Sequence, residues 1–95
     1  MHVQIVKFEL KPHTSRDLFL QLTREMIAWL KGREGFMAYE LYEGDGFWFD
    51  RIAWENQGCA QAGLNAFLTT PLAQRMTSLV ENGYSSFFGE TVATE

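Results

Sequence analysis

Cysteine, proline, histidine and basic residues are all scarce in this chain: one Cys, two Pro, two His and eight Lys plus Arg among 95 residues. The lone Cys59 excludes an internal disulfide and fits a reducing compartment. Two distant histidines without Cys-rich spacing make no zinc motif, so no metal is expected, and His2 at a terminus and His13 in a loop are expected to play surface roles. Scattered Lys and Arg under a net charge of −4 exclude a phosphate backbone as partner, so no nucleic acid is expected. No apolar stretch approaches the roughly 20 residues that span a bilayer. Met1-His2-Val3-Gln4 also lacks a basic region followed by a long apolar run. The expectation is a cytoplasmic, soluble protein. Absent too are a Gly-rich phosphate loop, a Ser/His/Asp order and a dinucleotide fingerprint, so no nucleotide cofactor has a visible cradle.

What is abundant is apolar and aromatic side chain, 46% and 15% of the residues, enough for one core, and residues 1–95 read as a single domain. At this length the folding stability is roughly 5–14 kcal/mol, so any polar group on a core face needs a reason to be there.

Val3 to Lys11 has the β-branched and aromatic content of a strand, ended by Pro12, whose missing amide stops the ladder. Thr14 is expected to cap a helix from Ser15 to about Lys31, with Asp17 in a capping-box-like position. On a wheel, Leu18, Phe19, Leu20, Leu22, Met26, Ile27, Trp29 and Leu30 fill one arc, wider than a single sheet contact requires. The helix should therefore also meet a second helix or a partner subunit. Phe36 to Glu43 and Phe47 to Glu55 alternate as two strands joined at Gly44-Asp45-Gly46. Asn56 caps a second helix, interrupted at Thr69-Thr70-Pro71. A short helix follows with Leu72, Met76, Leu79 and Val80 as its stripe, ending near Asn82-Gly83, and Tyr84 to Val92 is a fourth strand.

Strand, helix, strand, strand, helix, strand is the ferredoxin-like order, an α+β fold with both helical segments on one face of a four-stranded antiparallel sheet. Alternation places Gln4, Val6, Phe8 and Leu10, Tyr39 and Leu41, and Trp48, Asp50, Ile52 and Trp54 toward the helices. The other face mixes Val3, Ile5, Tyr42 and Phe49 with compensating charges, which fits a subunit interface slightly better than a wet surface.

One carboxylate is thus set among indoles. Desolvation there would raise the pKa of Asp50 and make it a better proton acceptor near neutrality than a solvated acid. Alternatively Asp50 is a structural acid satisfied by Trp or Tyr donors. Gln4 and Tyr39 on the same face carry the same two readings, as residues that orient or stabilise an oxyanion or as core polar groups. Small residues of the second helix, Ala60, Ala62, Gly63 and Ala66, either pack closely on the sheet or leave an apolar cavity walled by Trp29, Trp48, Trp54 and Phe67.

Three segments, Glu34 to Leu41, Gly46 to Glu55 and the Ala-rich helix leading to Pro71 and Met76, give the chain a resemblance to the dimeric α+β barrel superfamily. Among its members it resembles the antibiotic-biosynthesis-monooxygenase-like domains. The resemblance implies a homodimer joined through the sheets, a pocket between sheet and helices in each subunit, and cofactor-free chemistry on a small aromatic or enolisable compound. Haem-degrading relatives would offer an axial histidine from the second helix, and Gln57 to Asn82 contains none. Superfamily membership does not choose a reaction. The reading is a cofactor-independent monooxygenase or isomerase with Asp50, Tyr39 and Gln4 in catalytic roles and Trp29, Trp48, Trp54 and Phe67 binding substrate. The alternatives are a non-catalytic dimeric small-molecule binding protein and a dimerisation module whose pocket is filled.

Overall fold

The structure is a computed structural model that describes residues 1–95. Its elements are β1 (His2–Phe8), α1 (Arg16–Lys31), β2 (Phe36–Glu43), β3 (Trp48–Trp54), α2 (Gln57–Leu68), α3 (Pro71–Thr77) and β4 (Ser85–Glu90). The strands form one antiparallel sheet in the order β2-β3-β1-β4, the ferredoxin-like arrangement expected from the element order.

β1 is shorter than Pro12 alone would make it. After Phe8 the chain changes partner: Glu81 N–H donates to the Glu9 carbonyl (2.9 Å), Lys11 N–H donates to the Leu79 carbonyl (2.8 Å), and Leu10 bridges Val80. The same contacts end α3 early. Leu79 and Val80, expected on its stripe, are drawn into the bridge instead. β4 likewise spans less than the expected Tyr84 to Val92, because its ladder with β1 runs only from Lys7↔Ser85 to His2↔Glu90.

Helix starts follow local chemistry. Ser15, not Thr14, caps α1: its backbone is extended and its Oγ accepts from the Leu18 amide at 3.1 Å, while the Thr14 hydroxyl donates back to the Lys11 carbonyl at 2.7 Å. Asn56 caps α2 by accepting from the Cys59 amide (2.9 Å), and Thr70 caps α3 by accepting from the Ala73 amide (3.1 Å), with Pro71 at the first helical position.

The core has two centres. Phe8, Phe19 and Trp48 make one, with edge-to-face contacts of 5.8 and 5.0 Å between ring centroids. Met26, Leu30, Trp54 and Ala60 make the other. α1 spans both with Phe19, Leu22, Met26 and Leu30, and Thr23 is buried beside them with its hydroxyl bonded to the Phe19 carbonyl (2.9 Å). The breadth of its apolar arc is explained by α3, whose Met76 packs against both centres and whose Arg75 reaches Glu25 at 4.0 Å. No helix is long and apolar enough to cross a membrane.

His2 corrects an expectation. It is buried, not at the surface, because its register opposite Trp54 and Glu90 places it within the sheet, where Nδ1 meets Glu90 Oε1 at 2.7 Å.

Candidate functional site

The two indoles that flank Asp50 along β3 are each absorbed by one centre of the core, and the stretch between them is left open. There lies a cavity of ≈ 350 Å³, lined by 18 residues of which 14 are hydrophobic. Its sheet side carries Gln4 and Val6 of β1, Tyr39 of β2, Asp50 and Ile52 of β3, and Ser86 and Phe88 of β4. Met26 of α1, Leu64 and Phe67 of α2 and Met76 of α3 close it from above.

Register explains why the polar groups meet. Val6 and Leu41 flank Asp50 across the ladders, and Gln4 and Tyr39 flank Ile52, so all these side chains rise from one face in adjacent rows. The Tyr39 hydroxyl donates to Asp50 Oδ2 at 3.1 Å. Asp50 Oδ1 is buried and has no hydrogen-bond partner. Burial pushes the Asp50 carboxyl up to about 6, with the Tyr39 hydroxyl and the Val6 backbone pulling the other way. Tyr39 is itself raised above the usual phenol range, first by burial and then by the neighbouring Asp50 charge, so it stays a neutral donor. A carboxylate that titrates near neutrality beside an apolar cavity can take a proton from a bound molecule and return it.

The candidate residues separate on this geometry. Asp50, Tyr39, Gln4 and Phe67 all reach the cavity wall. Trp29, Trp48 and Trp54 do not, which corrects their expected position as walls. Trp48 is buried against Phe19 and Phe8, Trp54 lies edge-on to Phe36 at 5.9 Å, and Trp29 stands outside against Phe67 and under the Arg33 guanidinium, at 5.3 and 4.8 Å. The cause at Trp54 is Gly63: a methyl group there would fall inside the indole, so α2 lies directly on that ring. Small residues of α2 bring the helix close at this point, and the open space is displaced toward α3 and β4.

Sequence reasoning missed Phe88, Ser86, Met76 and Leu64. Alternation within the fourth strand holds the signal for the first two, since Phe88 pairs with Gln4 and Ser86 with Val6.

No protein-family model matches the chain, and no curated protein matches it. Solved structures do. A mutant form of SnoaB from Streptomyces nogalater, described as a cofactor-independent oxygenase, aligns with a TM-score of 0.82 at 15% identity, over 98% of this chain and 94% of that one. A protein described as an antibiotic biosynthesis monooxygenase aligns at 0.74 and 19% identity, over 98% of this chain and all of that one. The protein At3g17210 from Arabidopsis thaliana aligns at 0.83 and 7% identity, over 100% and 99%. The chain therefore has the α+β fold of the antibiotic-biosynthesis-monooxygenase-like proteins, and at these identities the likeness is one of fold.

Proposed function

We propose that this chain is a monooxygenase-like enzyme that needs no cofactor and acts on a small aromatic or enolisable compound held between sheet and helices. The observation that carries the reading is Asp50: a carboxyl with a pKa raised to about 6, one oxygen held by Tyr39 and the other without a donor, on the wall of an apolar cavity. Asp50 accepts an acidic proton from the substrate, and the apolar walls shelter the resulting anion from water. Dioxygen is then the oxidant: at a reacting methylene one oxygen atom becomes the carbonyl and the other leaves as water with the two displaced hydrogens. Tyr39 keeps the carboxylate oriented, Gln4 is placed to bond the substrate's oxygen, and Phe67 grips the ring. The description of SnoaB as a cofactor-independent oxygenase supports oxygen over simple proton transfer.

The reading includes a single domain over residues 1–95, a cytoplasmic location that fits the lone Cys59, and a homodimer formed through the outer sheet face. Tyr42, Phe49 and Phe87 are 50%, 37% and 58% exposed on that face, around the Arg51–Glu40 pair at 2.9 Å. Non-catalytic small-molecule binding is the second reading, favoured over a filled dimerisation module because the cavity is open.

The test is oxygen consumption with a panel of quinols and anthrone-like carbon acids. Wild type should turn over at least one, and Asp50→Asn should abolish turnover with the fold retained. Ligand binding without oxygen uptake would leave the second reading in place of the first.

A further inference from the structure

The cavity at Asp50 adjoins a second depression of ≈ 460 Å³ on the side of α3 and the loop before β4, and the two share Leu68, Ala73, Thr77, Val80 and Tyr84. Their characters differ sharply. Only 4 of the 10 residues lining the outer depression are hydrophobic, and its rim carries Lys11, Gln74, Ser78, Glu81 and Asn82. Tyr84, 59% exposed, presents its ring where the two spaces meet.

The chemistry of that rim selects an occupant. Lys11 and Glu81 enter none of the ion pairs of the protein, so the rim holds one free cation and one free anion and no net charge. The hydroxyls of Thr77 and Ser78 are occupied by the carbonyls of Ala73 and Arg75, at 2.7 and 2.6 Å. The side-chain amides of Gln74 and Asn82 have no such partner, and each offers both donor and acceptor. A carboxylate or phosphate would meet Glu81 as well as Lys11, and an ammonium would meet Lys11. A hydroxyl group, donor and acceptor at once, is matched by every one of these side chains.

We propose that the ligand is a two-part molecule: an apolar ring that fills the Asp50 cavity, and an uncharged hydroxyl-rich extension, a sugar or polyol, that crosses Tyr84 and bonds Gln74, Asn82, Lys11 and Glu81. The proposal rests on the reading of the Asp50 cavity as the seat of the ring.

Three matched probes test it on the full chain by calorimetry: 2,6-dihydroxynaphthalene, its mono-β-glucoside, and its mono-carboxypropyl ether. The glucoside should bind about tenfold more tightly than the parent diol, the effect of one or two net hydrogen bonds. Gln74→Ala combined with Asn82→Ala should cancel that gain and leave the parent's affinity unchanged; both side chains are exposed, so the fold is retained. A parent that binds with no gain from the glucose overturns the extension and leaves the Asp50 reading standing. Tighter binding of the carboxypropyl ether, lost in Lys11→Gln, overturns it in favour of an anionic tail. Failure of all three probes to bind overturns both readings together.

Discussion

Tyr39 and Asp50 meet diagonally across β2 and β3: Tyr39 is opposite Ile52 and Asp50 opposite Leu41, yet the phenol spans the offset to reach Oδ2 at 3.1 Å. This bond opposes the effect of burial on Asp50. Tyr39→Phe leaves the carboxyl without the donor to Oδ2, and Oδ1 already has none. Its pKa should then rise above about 6, and folding stability at neutral pH should fall by about 1.5–3 kcal/mol, the range for hydrogen bonds to charged groups. Carboxyl carbon NMR titration of wild type and variant checks the first, and urea unfolding the second.

The raised pKa also fixes the sign of a pH effect on stability. Asp50 titrates at about 6 in the folded chain against an ordinary value of 3.8, so the folded state holds the proton more tightly than the unfolded one. Its contribution is most favourable below pH 3.8 and is lost as pH rises through about 6. A tenfold difference in proton affinity is worth about 1.4 kcal/mol, so at pH 7 the ionised form costs about 3 kcal/mol. Asp50→Asn carries no such charge. Wild type should gain on the variant by about 2 kcal/mol as pH falls from 7 to 4, a difference in which the other titrating groups cancel. Parallel denaturant curves at both pH values measure it. Under the proposed function, turnover should follow the opposite course, rising through pH about 6 as the base ionises.

Much of this was legible in the residues, and the rest shows why alternation alone falls short. Period-two patterning was enough to place Gln4, Tyr39 and Asp50 on one face, and register brought them to one cavity. Trp48 and Trp54 share that face and are still not at the cavity. A strand pattern says which way a side chain points but not what fills the space above it, and Gly63 over Trp54 and Phe19 over Trp48 decided that. The ends of β1 and α3 were hidden for a related reason. The bridge from Leu10 to Val80 joins segments 70 residues apart, and no local signal competes with it. The position of His2 near the chain start suggests a surface residue, whereas its partner, Glu90, lies at the other end of the sequence.

Gly63 offers a clean contest between two effects. In a helix interior, Gly→Ala gains about 1 kcal/mol from propensity. Here the added methyl would enter the Trp54 ring, which is 2% exposed and has no room to move, and overpacking of a filled core costs about 1–3 kcal/mol. Gly63→Ala should therefore be net destabilising, with a lower urea midpoint and altered tryptophan emission. A variant as stable as wild type would mean that α2 can lift off the indole.

The separation between core and cavity aromatics makes the last prediction. Trp54 supports the fold from outside the cavity, and Phe67 lines it while Trp29 packs behind at 5.3 Å. Trp54→Phe should lower stability by about 1–3 kcal/mol through lost contact area and a partly filled void, and leave the affinity for a naphthalene diol within about twofold. Phe67→Ala should do the reverse in proportion: it enlarges a space that is already open, so the cost to folding should fall below the roughly 3–5 kcal/mol of a fully packed Phe. Its affinity for the diol should drop about tenfold or more with the ring contact gone. Calorimetric titration beside urea unfolding on both variants reads the two effects separately. Equal losses of affinity would return Trp54 to the site.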